Sequence, residues 1–112
     1  MSAARYNLVI DQGSDFAVDL TISEDGVVKN LTGFSARAQM RATKLSSSIS
    51  ASFTCTIAAP LTGVVRMSLP HATSTALASG RFYYDLEIYT GSDAAVTRLI
   101  QGEVDITQEI TR

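Results

Sequence analysis

The stretch at residues 80–90, Gly-Arg-Phe-Tyr-Tyr-Asp-Leu-Glu-Ile-Tyr-Thr, constrains the fold more than any other part of the chain. Phe82, Tyr84, Leu86 and Ile88 fall on one parity, and Tyr83, Asp85, Glu87 and Tyr89 on the other. Successive side chains of a strand point to opposite faces, so this segment has one apolar face and one wetter face. Aromatic and β-branched residues suit a pleated, half-buried surface. The segment predicts the central strand of an antiparallel sheet.

The same period of two recurs along the chain. Tyr6, Leu8 and Ile10 share a parity in a first strand over residues 5–11. Gln12-Gly13-Ser14 breaks it, and Gly13 can take a positive φ in a bend or bulge. Phe16, Val18, Leu20 and Ile22 then alternate with Ala17, Asp19, Thr21 and Ser23. Glu24-Asp25-Gly26 is a hairpin turn signal, with residues 27–30 as a short return. After the turn Leu31-Thr32-Gly33, Phe34, Ala36, Ala38 and Met40 alternate with Ser35, Arg37, Gln39 and Arg41. Small inward alanines predict close approach by a facing sheet or strand.

Residues 42–52 are serine-rich and read as a surface loop, because serine favours local hydrogen bonds over regular ladders. Phe53, Cys55 and Ile57 mark the next strand, with Cys55 as a small apolar core residue. Pro60-Leu61-Thr62-Gly63 turns the chain, and Val65, Met67 and Leu69 face inward after it. Residues 70–80 are the helical candidate, with proline in the first turn and glycine just past the last. About two turns bring Leu77 back onto the core. After Gly91-Ser92-Asp93, residues 96–106 run back as a final hairpin partner. Their alternation is imperfect: Leu99 leaves the parity of Val96, Ile100, Val104 and Ile106, and Gly102 marks a candidate bulge. The polar tail from Thr107 to Arg112 is expected to fray. About eight closely spaced strands with one short crossover helix predict a β-sandwich, with a small barrel as the competing architecture.

Length and composition fit this picture. The 112 residues make one domain, 1–112, and 46% hydrophobic content supports a packed core. No apolar run approaches the length of a membrane span, and the first residues lack the apolar stretch of a secretion signal. The net charge is −2 with scattered basic residues, which argues against nucleic-acid binding. The single cysteine excludes an intrachain disulfide.

The residues do not assemble an evident catalytic or cofactor motif. His71 has no second strong metal ligand at a telling spacing. Ser68, His71 and Asp85 carry the atoms of a triad without a nucleophile elbow. Asp11, Asp15 and Asp19 recur every fourth position, yet Gly13 breaks the register, and they read as solubilising charges. The expectation is a non-enzymatic protein with no cofactor. Tyr83 and Tyr89 lie on the face that ought to be wet. Either the helix or the serine loop covers that face, or it contacts a partner, since tyrosine anchors many interfaces. Arg37 and Arg41 project from the neighbouring strand, either as solvated arginines with buried stems or as further contact residues.

Several ordered blocks resemble small structural proteins of tailed bacteriophages, in particular the N-terminal domain of baseplate upper proteins. They are Asp11-Gln12-Gly13-Ser14-Asp15-Phe16, the run from Asn30 to Arg41, Ala76-Leu77 ahead of residues 80–87, and the run from Val96 to Gly102. The resemblance implies an antiparallel immunoglobulin-like β-sandwich serving as a virion building block assembled in the host cytoplasm. Its implied partners are other virion proteins and copies of itself, without nucleic acid, membrane or small-molecule substrate. The family's tyrosine after Leu31-Thr32-Gly33 is Phe34 here. Baseplate relatives usually carry further domains, so tail, baseplate, fibre-attachment and capsid-decorating roles all remain. A host-encoded or secreted adhesion module of similar fold is the rival.

Overall fold

Period-two alternation becomes strand throughout the computed structural model, which describes residues 4–24, 26–91 and 95–111. The fold is all-β. Its strands are β1 (Ala4–Arg5), β2 (Leu8–Asp11), β3 (Phe16–Thr21), β4 (Ser23–Glu24), β5 (Val27–Val28), β6 (Ser35–Arg41), β7 (Ala51–Ala59), β8 (Val64–Leu69), β9 (Gly80–Thr90) and β10 (Ala95–Thr107). A 3-10 turn covers Pro60–Thr62, and one helix, α1, covers His71–Ala76. No helix among the described residues is long and apolar enough to cross a membrane.

The main sheet runs β1-β10-β9-β6-β7-β8-β3, with β2 also paired to β10, while β4 and β5 form a separate hairpin. Strand β7 explains how the sheet curls. Ala51–Phe53 pair with β6, whereas Thr54–Ala59 pair with β8. The β8–β3 arm therefore turns over the β6–β9–β10 arm, and one core cluster joins them. Phe53 stands at the corner, its ring 6.2 Å from Phe16 and 6.1 Å from Tyr84. Met40, Val65, Met67, Leu86, Ile88 and Val104 are sealed between the arms. Of the expected inward residues, Leu20, Ala38, Phe53, Met67, Phe82, Tyr84 and Leu86 are buried, and Phe16, Val18 and Cys55 are half-buried against the same cluster. Leu31, read as a turn residue, is also fully buried.

Two expectations need correction. The sheet is mixed rather than antiparallel, because β1 and β2 run parallel to β10. Alternation reports which face a residue takes and says nothing about strand direction. The pairing joins segments about a chain length apart, where no hairpin imposes reversal. The second correction concerns the bulge, which lies between Arg98 and Ile100 rather than at Gly102. The extra residue, Leu99, flips the parity, so Arg98 sits opposite Glu87 on the outer face while Ile100 pairs with Leu86 inside.

Gly102 instead marks a close approach. It stays in register opposite Tyr84, and a Cβ there would strike the Tyr6 carbonyl where β1 passes into β2. The Tyr84 hydroxyl donates to that carbonyl at 2.6 Å, tying the N-terminal crossing to β9. A second anchor forms at the bend after β2. Gly13 takes φ +88°, and its N–H donates to the buried Ser74 hydroxyl, which itself donates to the Ser14 carbonyl. Gln12 donates to the Leu77 carbonyl and accepts from the Glu109 N–H, so one side chain joins the bend, the helix end and part of the expected fraying tail. Of the two turn signals, Asp25 and residues 92–93 lie outside the described residues, as does Arg112. Their flanking strands pair as hairpins.

Candidate contact face

The outer face of β6, β9 and β10 gathers the candidate contact residues. Strand alternation places Arg37 and Arg41 of β6 and Tyr83, Asp85, Glu87 and Tyr89 of β9 there. The register sets Arg37 opposite Glu87, Gln39 opposite Asp85, and Arg41 opposite Tyr83. On the other side of β9, Gln101 faces Asp85, and Arg5 of β1 faces Gln101. The face is thus a grid of rows running across four strands.

Each side chain is held by a neighbour. The Arg37 guanidinium lies 4.6 Å from the Tyr89 ring centroid, and its Nε donates to Glu87 Oε1 at 2.9 Å. Arg41 donates to the Ser46 carbonyl at 3.0 Å and to Gln39 Oε1 at 3.1 Å. Lys44, from the serine-rich loop, places Nζ 5.7 Å from the Tyr83 ring centroid. The loop therefore reaches the Tyr83 end of the face. Helix α1 does not cover the face: it is tied to the bend at residues 13–14 and brings Leu77 into the core. Tyr83 and Tyr89 are both half-buried.

Between the rims lies an open concavity of about 510 Å³. Arg98 Nε lies 3.3 Å from Asp85 Oδ2. Burial nevertheless pushes the Asp85 carboxyl above its ordinary value, helped by the Glu87 charge and opposed by Arg98, Arg41 and Arg37. Five of the nine Lys and Arg residues line the concavity, against two of the eleven Asp and Glu residues. That is a surplus of three positive charges in a chain of net charge −2, so the remainder carries five surplus negative charges.

All four sequence-based candidates, Tyr83, Tyr89, Arg37 and Arg41, therefore share one face. Arg5, Lys44, Asp85 and Arg98 complete it. The parity of Asp85 was legible, but its role in the concavity was not. Arg98 is placed outward by the Leu99 bulge, Lys44 sits in a loop without periodicity, and Arg5 arrives through a non-local parallel pairing.

Other polar residues take structural roles elsewhere. Asp15 accepts from the His71 backbone N–H at 2.7 Å and contacts the His71 ring at 2.9 Å, which holds its carboxyl below the ordinary value. Asp19 forms a two-point pair with Arg66, and Asp11 accepts from the Thr107 hydroxyl. Ser68 pairs across the inner β3–β8–β7 ladder, and Asp85 lies on the opposite arm with Arg98, so Ser68, His71 and Asp85 do not assemble. Burial pushes the Cys55 thiol up to about 11, the behaviour of a packed rather than a nucleophilic thiol. Among the described residues, no group of three or more His, Cys, Asp or Glu side chains is placed to hold a metal ion.

No family model matches the chain, and no curated protein matches it. Among solved structures, it is similar to part of a family 123 glycoside hydrolase from Clostridium perfringens, a structure concerned with glycolipid glycan hydrolysis. The identity is 8% and the TM-score 0.39, over 100% of this chain and 24% of that one. The chain thus spans about a quarter of that enzyme's chain, and a likeness at this level bears on neither activity nor ligand.

Proposed function

We propose that this protein is a non-enzymatic structural subunit of a tailed-phage virion, in the tail, baseplate or fibre-attachment region. It works through contacts with other virion proteins, including its own copies, and assembles with them in the host cytoplasm. The observation that carries the reading is the arginine–tyrosine face. Tyr83, Tyr89, Arg37 and Arg41 fall on one surface, held by stacking and hydrogen bonds. Pre-organised aromatic and arginine side chains lose little entropy on docking and anchor many interfaces. The ordered sequence blocks that resemble baseplate upper proteins point the same way. A capsid-decorating role is the alternative within the virion.

The finer fold in this reading is an immunoglobulin-like sandwich. Its support is the pairing pattern: β3-β8-β7 follows the B-E-D order of such sandwiches, and β6-β9-β10 follows C-F-G. The N-terminal strand β2 is paired in parallel with β10. In this role the chain holds no cofactor and binds neither nucleic acid nor membrane.

Mass spectrometry of purified particles tests the assignment. The protein is expected at stoichiometric abundance, and its absence from intact virions refutes the reading. Tyr83→Ala combined with Tyr89→Ala is expected to impair assembly. Normal assembly of that variant removes the contact face while leaving the subunit assignment standing.

A further inference from the structure

We infer that the concavity on the outer sheet face docks an extended, acidic polypeptide segment of a partner protein. The inference deepens the virion-subunit reading and rests on it, since it specifies the chemistry of the neighbour.

The charge layout carries the argument. Negative charge runs along the central strand, where Asp85 and Glu87 form the floor. Positive charge stands on both sides: Arg41 and Lys44 at the β6 rim, Arg5 at the β1 rim. Among the described residues, none of these three cations has a carboxylate at ion-pair distance. Arg41 is turned to a carbonyl and an amide oxygen, and Lys44 to a ring face. Three cations thus line the rims with their charge uncompensated by a direct partner, while the rest of the chain is acidic.

The same layout selects among anionic ligands. A nucleic-acid strand would bring a phosphate past the floor carboxylates at every nucleotide, and like charges repel there. A polypeptide supplies both kinds of group: backbone N–H donors for Asp85 and Glu87, and side-chain carboxylates that splay to the two rims. Alternation in an extended segment sends successive side chains to opposite sides, matching cations on both walls. Tyr83, half-buried at one end, carries Lys44 Nζ over its ring, which sets that cation at the end of the floor. From Tyr83 to Glu87 the floor is about 13 Å long, and the four strands from β6 to β1 span about 14 Å across, room for about four extended residues. Desolvation of the Asp85 carboxyl agrees with a recessed floor where such contacts are less screened.

Fluorescence anisotropy with a labelled peptide of consecutive glutamates, about six residues long, tests the proposal, because successive side chains then present carboxylates to both rims. Its glutamine counterpart and a single-stranded oligodeoxynucleotide of equal charge serve as comparisons. The acidic peptide is expected to bind in low salt and to weaken as salt rises, with the glutamine peptide inert and the oligonucleotide weaker. Lys44→Gln and Arg5→Gln together should weaken binding by about tenfold or more. Lys44→Arg with Arg5→Lys should restore it. Unchanged circular dichroism and urea midpoints establish that both variants fold.

No acidic-peptide binding up to about 1 mM, equal or tighter oligonucleotide binding, or indifference to the double variant overturns the inference. Sedimentation provides another check: self-association abolished by the double variant would replace the partner segment with a second copy. Absence of the protein from particles removes the virion setting and leaves the peptide measurement intact. Presence in particles without peptide binding defeats this inference alone.

Discussion

Removing a single hydroxyl tests the N-terminal anchor. Tyr84 is 4% exposed, and its hydroxyl reaches over the side-chain-free position at Gly102 to donate to the Tyr6 carbonyl at 2.6 Å. Tyr84→Phe keeps the ring against Phe53 and deletes that bond alone. A typical hydrogen bond contributes about 1 kcal/mol net, and a stranded buried acceptor adds to the loss. The bond is part-buried rather than fully sealed, which keeps the total to about 1–2 kcal/mol. In a domain of this size that lowers the melting temperature by about 4–8 °C. Urea titration followed by circular dichroism measures it without tryptophan, which the chain lacks.

The pH dependence supplies an independent check. Burial, followed by the Tyr6 charge, raises the Tyr84 pKa above its ordinary value of 10. Above pH 10 the unfolded chain therefore releases this proton before the folded one does. The native state then binds more protons, and stability falls as pH rises, at up to about 1.4 kcal/mol per pH unit from this group. Phenylalanine has no such proton, so the wild-type advantage should shrink above pH 10. The remaining tyrosines and Cys55 are common to both proteins. A loss below about 0.3 kcal/mol at pH 7, or a wild-type advantage that widens above pH 10, refutes the anchor argument.

Three further substitutions probe other parts of the structure. Gly102→Ala should cost about 1–3 kcal/mol, because the added methyl meets the Tyr6 backbone and the Asn7 side chain; wild-type stability would disprove the close approach. Leu86→Ala, at a fully buried central position, should cost about 2–5 kcal/mol in the same titration, and a loss near zero would remove Leu86 from the core. Asp85→Asn should stabilise the fold near neutral pH: its folded pKa is raised above 3.8, so its stabilising contribution is greatest below that value and is lost as pH rises through the folded pKa. Destabilisation at pH 7 would mean that the Arg98 pair outweighs the burial cost.

Local pattern decided much of this protein. Phe82, Tyr84, Leu86 and Ile88 face the core, and Tyr83, Asp85, Glu87 and Tyr89 face outward, because a strand's side-chain period is two whatever lies beside it. Arg37 and Arg41 were legible for the same reason, and the helix was legible from Pro70 at its start, whereas it ends at Ala76 and Gly80, expected just past its last turn, opens β9 instead. Partners, direction and register belong to the whole fold. Strand β7 changes neighbours halfway, and the N-terminal strand runs parallel to β10, choices settled by filling open sheet edges and joining two apolar faces. The bulge at Leu99 turns Arg98 outward against the simple alternation. Arg5, Lys44 and Arg98 thereby join Arg37 and Arg41 around one concavity. Their separations along the chain carry no period, so only tertiary pairing brings those charges together.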